Sequence, residues 1–139
     1  MTDDRAIARP GRLTRAVVRA SSSTTSRIEK VLASEELTLD QWLVMDALAA
    51  ERGQPMAALV EGTRVSGPTL TRVVDRLVSR ALVYREVDVH DRRVVRVHLS
   101  RRGHALYRRI AVKVGEVEDE LLARAGGAEA LLVIDRLAD

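Results

Sequence analysis

Residues 64–99 constrain the fold more than any other stretch, because a helix signal is followed there almost directly by a hairpin signal. Ser66 stands before Gly67 and Pro68, and this order predicts a helix start, since serine caps free N–H groups and proline is tolerated in the first turn. Apolar residues then recur at helical spacing on one face, at Leu70, Val73, Val74 and Leu77. The sequence therefore predicts a capped amphipathic helix that begins near Ser66.

Two β-branched segments follow this helix and predict an antiparallel hairpin. Residues 82–87 and 94–99 are rich in valine, and the charged residues 88–93 form the predicted tip between them. Before the capped helix, residues 56–60 predict a short helix and residues 61–63 a turn that contains glycine. The predicted fold is therefore mainly α with a small antiparallel β wing, and its centre is a winged helix-turn-helix.

The capped helix carries groups that are suited to contacting nucleic acid. At about 100° per residue, Pro68 and Arg72 point away from its apolar face, while Thr69, Thr71 and Arg76 lie on the flanks. Arginine pairs with guanine edges, and threonine contacts thymine or phosphate, so these residues predict contacts in a DNA major groove. An ordinary solvated surface helix is the alternative that this helix alone leaves open.

The predicted hairpin tip carries a second group of candidates. Arg92 and Arg93 can enter a minor groove, whose narrow A·T-rich form attracts arginine, and Asp91 can hold one guanidinium in a defined pose. The alternative is a charged turn that is merely solvated. Because the tip follows directly after a capped helix with an exposed arginine, we favour DNA binding.

Outside this stretch the sequence predicts mainly helices. Thr38 and Gln41 form a capping box at the start of a helix over residues 39–50. The serine–threonine run at residues 21–26 leaves a flexible linker open, but the apolar stripe resumes at Ile28 and favours one continuous helix. Further helices are predicted at residues 13–34, 101–125 and 128–137, and a mobile arm or an extended lead-in at residues 1–11.

Charge and composition exclude several classes of function. Residues 64–109 hold 12 arginines and 4 acidic residues, whereas residues 110–139 hold 3 basic and 7 acidic residues, so the middle of the chain predicts a phosphate-binding face. The chain has no cysteine and no recognisable catalytic motif or membrane segment, so we expect a cytoplasmic protein that is not an enzyme and needs no cofactor or metal. A metal site formed by His90, His98 and His104 with carboxylates is the alternative.

The order of these motifs resembles that of the MarR family of winged-helix transcriptional regulators. The matching segments are LTLDQWLVMDAL, SGPTLTRVVDRLVSRALVYR, DRRVVRVHLS and RRG, at residues 37–48, 66–85, 91–100 and 101–103. The resemblance implies an obligate homodimer that binds double-stranded DNA, usually as a repressor that a small-molecule effector releases. It implies DNA contacts in the helix and the wing, at Ser66, Pro68, Thr69, Thr71, Arg72, Arg92 and Arg93, with Asp91 as the orienting partner.

The resemblance also predicts that residues 1–139 form a single domain with two functional parts. Residues 39–99 form the winged helix-turn-helix head, whereas residues 12–34 and 101–139 form a helical dimerisation region whose apolar stripes need a partner subunit. An implied effector pocket lies between these parts. Its candidate residues are Arg15, Arg19 and Trp42, and a core position is the alternative for Trp42.

Three features depart from the family pattern, and one of them is the serine–threonine run at residues 21–26. Ala81 stands where the family commonly has glycine at the end of the helix, and this predicts a less left-handed C-cap. The turn predicted at residues 61–64 is also unusual for the family. The predicted function is a sequence-specific, ligand-responsive repressor that binds a pseudo-palindromic operator as a homodimer. A winged-helix module that binds protein without specific DNA binding is the alternative.

Overall fold

The computed structural model describes residues 9–139, so most of the predicted lead-in at residues 1–11 lies outside the described residues. The described elements are α1 (Arg12–Ala33), α2 (Leu39–Ala50), β1 (Gln54–Pro55), α3 (Met56–Thr63), α4 (Gly67–Ser79), β2 (Val83–Val87), β3 (Val95–Leu99), α5 (Arg101–Arg124) and α6 (Glu129–Ala138). The predicted fold class, mainly α with a small antiparallel wing, is confirmed.

The first two helices form as their local signals predict. α1 runs without a break through residues 21–26, where the Thr25 hydroxyl donates to the Ser22 carbonyl at 3.2 Å, so the flexible-linker alternative is wrong. At the start of α2, the Gln41 N–H donates to Thr38 Oγ1 at 3.2 Å and the Thr38 N–H donates to Gln41 Oε1 at 3.0 Å. The predicted capping box is therefore complete.

The turn predicted at residues 61–63 is wrong, because α3 continues through them to Thr63. The Thr63 hydroxyl donates to the Leu59 carbonyl at 2.6 Å and so keeps the last turn helical. The helix ends one residue later, where Arg64 adopts a left-handed φ of 61°.

The prediction of a less left-handed helix end at Ala81, the residue after the C-cap Arg80, is also wrong. Ala81 has a φ of 57°, in the region that glycine favours. The Leu82 N–H donates to the Leu77 carbonyl at 3.0 Å, and the Ala81 N–H donates to the Val78 carbonyl at 2.9 Å. This pair of hydrogen bonds is the Schellman motif, which closes α4 despite the strain of a Cβ in the left-handed region.

The sheet contains a strand that the sequence did not predict. β2 and β3 pair in antiparallel fashion from Val83 opposite Leu99 to Val87 opposite Val95, which confirms the hairpin. β1 pairs with the other edge of β3, with Gln54 opposite Val97, so the strand order is β1-β3-β2.

The core lies where α2, α3, α4 and the sheet meet the last turns of α1 and the first half of α5. Its fully buried side chains include Leu32, Met45, Leu48, Leu59, Leu70, Leu77, Leu82 and Ile110. Gly103 allows α5 to approach the segment before β2, because a Cβ at this position would overlap the Leu82 carbonyl oxygen. α5 is thereby fixed against the base of the wing.

Two helical segments leave apolar side chains uncovered in the single chain. In α1 only Ile28 and Leu32 are buried, and α6 has no buried residue. The exposed apolar side chains of these segments are Leu13, Val17, Val18, Leu131, Leu132, Val133, Ile134 and Leu137. Among the described residues, no helix has the length and apolar character needed to cross a membrane.

Candidate nucleic-acid interface

The start of α4 is built around hydroxyl groups. Ser66 has the extended backbone of an N-cap, and its carbonyl accepts from the Leu70 N–H at 2.7 Å. Its side chain does not cap the backbone as expected, because Ser66 Oγ instead donates to Thr69 Oγ1 at 3.0 Å. The backbone N–H groups of the first turn therefore lack a side-chain cap from Ser66, which suits binding of a phosphate at this helix end.

The N-terminal half of α4 presents the predicted contact residues to solvent. Pro68, Thr71, Arg72 and Arg76 are exposed, and Thr69 is half-buried. Arg72 Nη2 donates to Thr69 Oγ1 at 3.4 Å, so the guanidinium lies along the first turn of the helix. The Thr71 hydroxyl donates to the Gly67 carbonyl at 3.1 Å, which leaves its methyl group free for an apolar contact.

The wing tip holds the second group of predicted residues. Asp91 accepts from Arg93 Nε at 3.1 Å through one oxygen and from Arg93 Nη2 at 3.3 Å through the other. These bonds lower the pKa of Asp91, and the Arg93 side chain that donates them is 90% exposed. Asp91 thus orients Arg93 as expected, and Arg92 is exposed beside it. Contact of either arginine with DNA stays a prediction.

Asp88 and Arg96, which sequence reasoning missed, shape this tip. Asp88 Oδ1 accepts from the His90 N–H at 2.8 Å and from the Asp91 N–H at 3.0 Å. Arg96 Nε donates to the other Asp88 oxygen at 2.5 Å, and Arg96 Nη1 donates to the Gly53 carbonyl at 2.8 Å. These three hydrogen bonds lower the pKa of Asp88 to about 2, and the bond from Arg96 has the largest effect. The position of Asp88 at the start of the tip could have predicted this role, because an aspartate that begins a turn often accepts from the backbone N–H group two residues later.

A further ion pair joins α4 to the wing. Arg85 Nη2 of β2 lies 2.5 Å from Asp75 Oδ1, on the solvent side of α4. The contact lies where the hairpin meets the helix. Because the Arg85 side chain is 35% exposed and the Asp75 side chain 59% exposed, water screens the pair, and its contribution to stability is small, about 0–1 kcal/mol.

The histidines do not assemble into a metal site. Within residues 9–139, no group of three or more histidine, aspartate or glutamate side chains could hold a metal ion. His98 instead stacks on Tyr84 at a ring separation of 5.1 Å and lies 3.3 Å from a Glu86 oxygen, while His90 is exposed at the tip.

The single chain does not assemble the three effector candidates into one pocket. Trp42 is a core residue, 7% exposed, and stacks on Tyr107 at 5.0 Å, whereas Arg15 and Arg19 are exposed on the first turns of α1. Burial, with a 2.7 Å hydrogen bond from the Tyr107 hydroxyl to Asp46, raises the pKa of Tyr107 to about 12. A cavity of about 560 Å³ lies between α1 and α5, and its lining residues are Ser23, Ser26, Arg27, Lys30, Val117 and Glu120.

Comparison with known proteins identifies the family. The family model described as the MarR family matches residues 36–94. The transcriptional regulator HosA of Escherichia coli O111:H- is 35% identical over 95 residues, which are 68% of this chain and 70% of HosA.

Solved structures agree with this relationship. BpsR of Bordetella bronchiseptica, whose DNA binding is regulated by 6-hydroxynicotinic acid, is 25% identical with a TM-score of 0.76 over 94% of this chain and 91% of BpsR. NadR in complex with 4-hydroxyphenylacetate is 25% identical with a TM-score of 0.78 over 91% of this chain and 92% of NadR. The chain therefore belongs to the MarR family of transcriptional regulators, whose members are not enzymes.

Proposed function

We propose that this chain is a homodimeric repressor that reads a pseudo-palindromic operator in double-stranded DNA. The observation that carries the proposal is the presence, in one head, of two exposed arginine-bearing elements, with the Asp75–Arg85 ion pair between the helix and the hairpin. One is the N-terminal half of α4, and the other is the wing tip with Arg93 held by Asp91.

In the proposed complex, the start of α4 enters the major groove. Arg72 donates to guanine edges, the Thr71 methyl contacts thymine, and Ser66, Pro68, Thr69 and Arg76 contact the backbone or neighbouring bases. Arg92 and Arg93 enter the adjacent minor groove. The uncapped N–H groups after Ser66 suit a phosphate, because the positive end of the helix dipole lies there.

Dimerisation is supported by the uncovered apolar faces of α1 and α6. Leu131, Ile134 and Leu137 are each about half exposed, between 47% and 58%, and such a row of large apolar side chains on one helix is typical of an interface. We propose that residues 12–34 and 101–139 of two chains pack together and leave residues 39–99 as the DNA-binding heads. Two α4 helices would then enter successive major grooves about 34 Å apart.

We propose further that a small aromatic carboxylate releases the repressor. The ligands of BpsR and NadR each combine a carboxylate with a ring hydroxyl. The cavity between α1 and α5 offers Arg27 and Lys30 for a carboxylate and Ser23 and Ser26 for a hydroxyl. Arg15, Arg19 and Trp42 stay candidates for a pocket that the partner subunit completes.

The effector proposal can be tested with a ligand already known to bind NadR. In a calorimetric titration with 4-hydroxyphenylacetate, Lys30→Met is expected to weaken binding, whereas Lys113→Met, which changes the same charge on α5 outside the cavity, is not. Equal binding by both variants and the unmodified chain would place any effector elsewhere.

The DNA-binding proposal is tested by footprinting the promoter of the chain's own gene and by sedimentation of the protein. We expect two protected half-sites about one helical turn apart, occupied by two chains, with an affinity that falls steeply as salt rises. No salt-dependent binding to this DNA would favour the protein-binding alternative. Because the proposed ligand is chromosomal DNA, we also propose a cytoplasmic location for the protein.

A further inference from the structure

Arg80 connects the end of α4 to the end of α1. It is the C-cap residue of α4, two helical turns after Arg72, and it is half-buried. Its Nη1 donates to the Glu36 carbonyl at 2.8 Å, and its Nη2 donates to the Glu35 carbonyl at 3.1 Å. A planar guanidinium that donates to two successive carbonyls is fixed in both distance and direction.

The two helix ends that Arg80 joins are closed in the same way. Glu36 and Ala81 both adopt left-handed backbones, with φ values of 55° and 57°. The Leu37 N–H donates to the Leu32 carbonyl at 3.1 Å, just as Leu82 donates to Leu77 at 3.0 Å. These tight endings define where the Glu35 and Glu36 carbonyls lie, so Arg80 meets preformed acceptors.

Glu35 extends the connection to α5. Arg109 Nε lies 2.8 Å from Glu35 Oε1, and Arg109 Nη2 lies 3.2 Å from Glu35 Oε2. This paired hydrogen bond is the main cause of the lowered pKa of Glu35. We call Glu35, Glu36, Arg80 and Arg109 the Glu35 clamp, because the four residues tie α4 to both long helices.

We propose that Arg80 is a positioning residue for operator binding, which holds the DNA-reading helix at a fixed place relative to the α1–α5 pair. The inference rests on the proposed function, because only in a dimer does this place set the separation of two recognition helices. Arg80 itself touches no base. It acts by keeping the two copies of α4 at the spacing of the two half-sites.

The physical consequence concerns the second half-site. Once one head is bound, the other meets its half-site at a high effective concentration, provided that the geometry allows both to bind. A looser clamp spreads the second head over more orientations and lowers this effective concentration. The affinity of one head for one half-site depends on α4 and the wing alone and is left nearly unchanged.

The test compares three duplexes, namely the footprinted operator, a single half-site and the operator with two base pairs inserted between its half-sites. The variants are Arg80→Met and Arg80→Lys, and the control is Arg52→Met, which removes an exposed arginine that has no ion pair among residues 9–139. Sedimentation and circular dichroism establish that each variant is dimeric and folded. Arg80→Lys keeps the positive charge and is therefore a second variant to use if Arg80→Met does not fold. Lysine lacks the planar guanidinium, so it cannot donate to both carbonyls in the way that Arg80 does.

We expect the unmodified chain and Arg52→Met to bind the full operator roughly 100-fold more tightly than the half-site. Arg80→Met is expected to lose about 10-fold on the full operator and less than about 2-fold on the half-site, and to tolerate the inserted base pairs better. Arg80→Lys should behave like Arg80→Met.

Two results would overturn the role of Arg80 while leaving the proposed function intact. One is a full-to-half-site ratio in the Arg80 variants equal to that of the control. The other is an equal loss on both duplexes, which would mean that Arg80 only supports the head. If the unmodified chain itself shows no preference for two half-sites, the dimeric function fails and the inference fails with it.

Discussion

Replacing Gly103 by alanine tests why α5 follows the wing so closely. Gly103 lies in the first turn of α5, and its N–H donates to Ser100 Oγ at 2.9 Å. An added Cβ would overlap the Leu82 carbonyl oxygen and lie 3.1 Å from Leu99 Cδ2. The carbonyl cannot move away freely, because it also accepts from the Ser100 N–H at 3.0 Å.

The expected loss can be estimated from three contributions. Forcing a methyl group into a packed interior costs about 1–3 kcal/mol, and losing the Ser100–Leu82 hydrogen bond costs about 1 kcal/mol. The better helix propensity of alanine offsets up to about 1 kcal/mol. We therefore expect Gly103→Ala to lower the free energy of unfolding by about 2 kcal/mol and Tm by roughly 6–10 °C.

Urea unfolding followed by circular dichroism measures this difference. Gly62→Ala is the matched control, since Gly62 is an exposed helical glycine whose added Cβ would meet no heavy atom within 4 Å apart from its chain neighbours and the backbone of its own helix. This control is expected to raise the free energy of unfolding by up to about 1 kcal/mol. A Gly103→Ala chain as stable as the unmodified one would show that α5 does not depend on the close approach.

Two further changes have clear expected signs. Ala81→Gly should raise the free energy of unfolding by about 1 kcal/mol, because glycine relieves the left-handed strain of Ala81, and an unchanged urea midpoint would contradict that reason. Because the Arg96 bond lowers the pKa of Asp88 from 3.8 to about 2, ionised Asp88 stabilises the fold fully above about pH 4 and loses this effect as the pH falls toward 2. Thermal melts between pH 5 and 2 should therefore show a smaller fall in Tm for Asp88→Asn than for the unmodified chain; equal falls would exclude the wing carboxylate as a source of acid sensitivity.

The parts of the fold that sequence predicted are those with local or periodic signals. The Thr38–Gln41 box, the apolar face of α4 and the valine-rich strands each carry their signal within a few residues. β1 has no such signal, because two residues become a strand only by pairing with β3. The end of α3 was predicted too early for a different, local reason. The Thr63 hydroxyl donates to the Leu59 carbonyl one turn before it, and this bond offsets the low helix propensity of Gly62.

The residues of the candidate site also fall into two groups, those that a local sequence signal predicts and those that only the folded chain brings together. Exposure of Thr71 and Arg72 follows from helical periodicity, and the Asp91–Arg93 contact follows from their closeness in sequence. The Glu35 clamp joins residues that are 45 and 74 positions apart, so only the packed chain brings them together. Ala81 shows that two backbone hydrogen bonds can hold a conformation that the residue type disfavours.

The most direct test of DNA reading by α4 and the wing is a fluorescence-anisotropy titration of the footprinted operator at fixed salt. We expect Arg72→Ala to weaken binding by about 1–3 kcal/mol and to relax base preference, and Arg93→Ala to weaken it mainly where the flanks are A·T-rich. Arg52→Ala, which removes the same charge from the segment between α2 and β1, should bind nearly as the unmodified chain does. Unchanged operator affinity in both Arg72→Ala and Arg93→Ala would contradict the assignment of this surface to DNA.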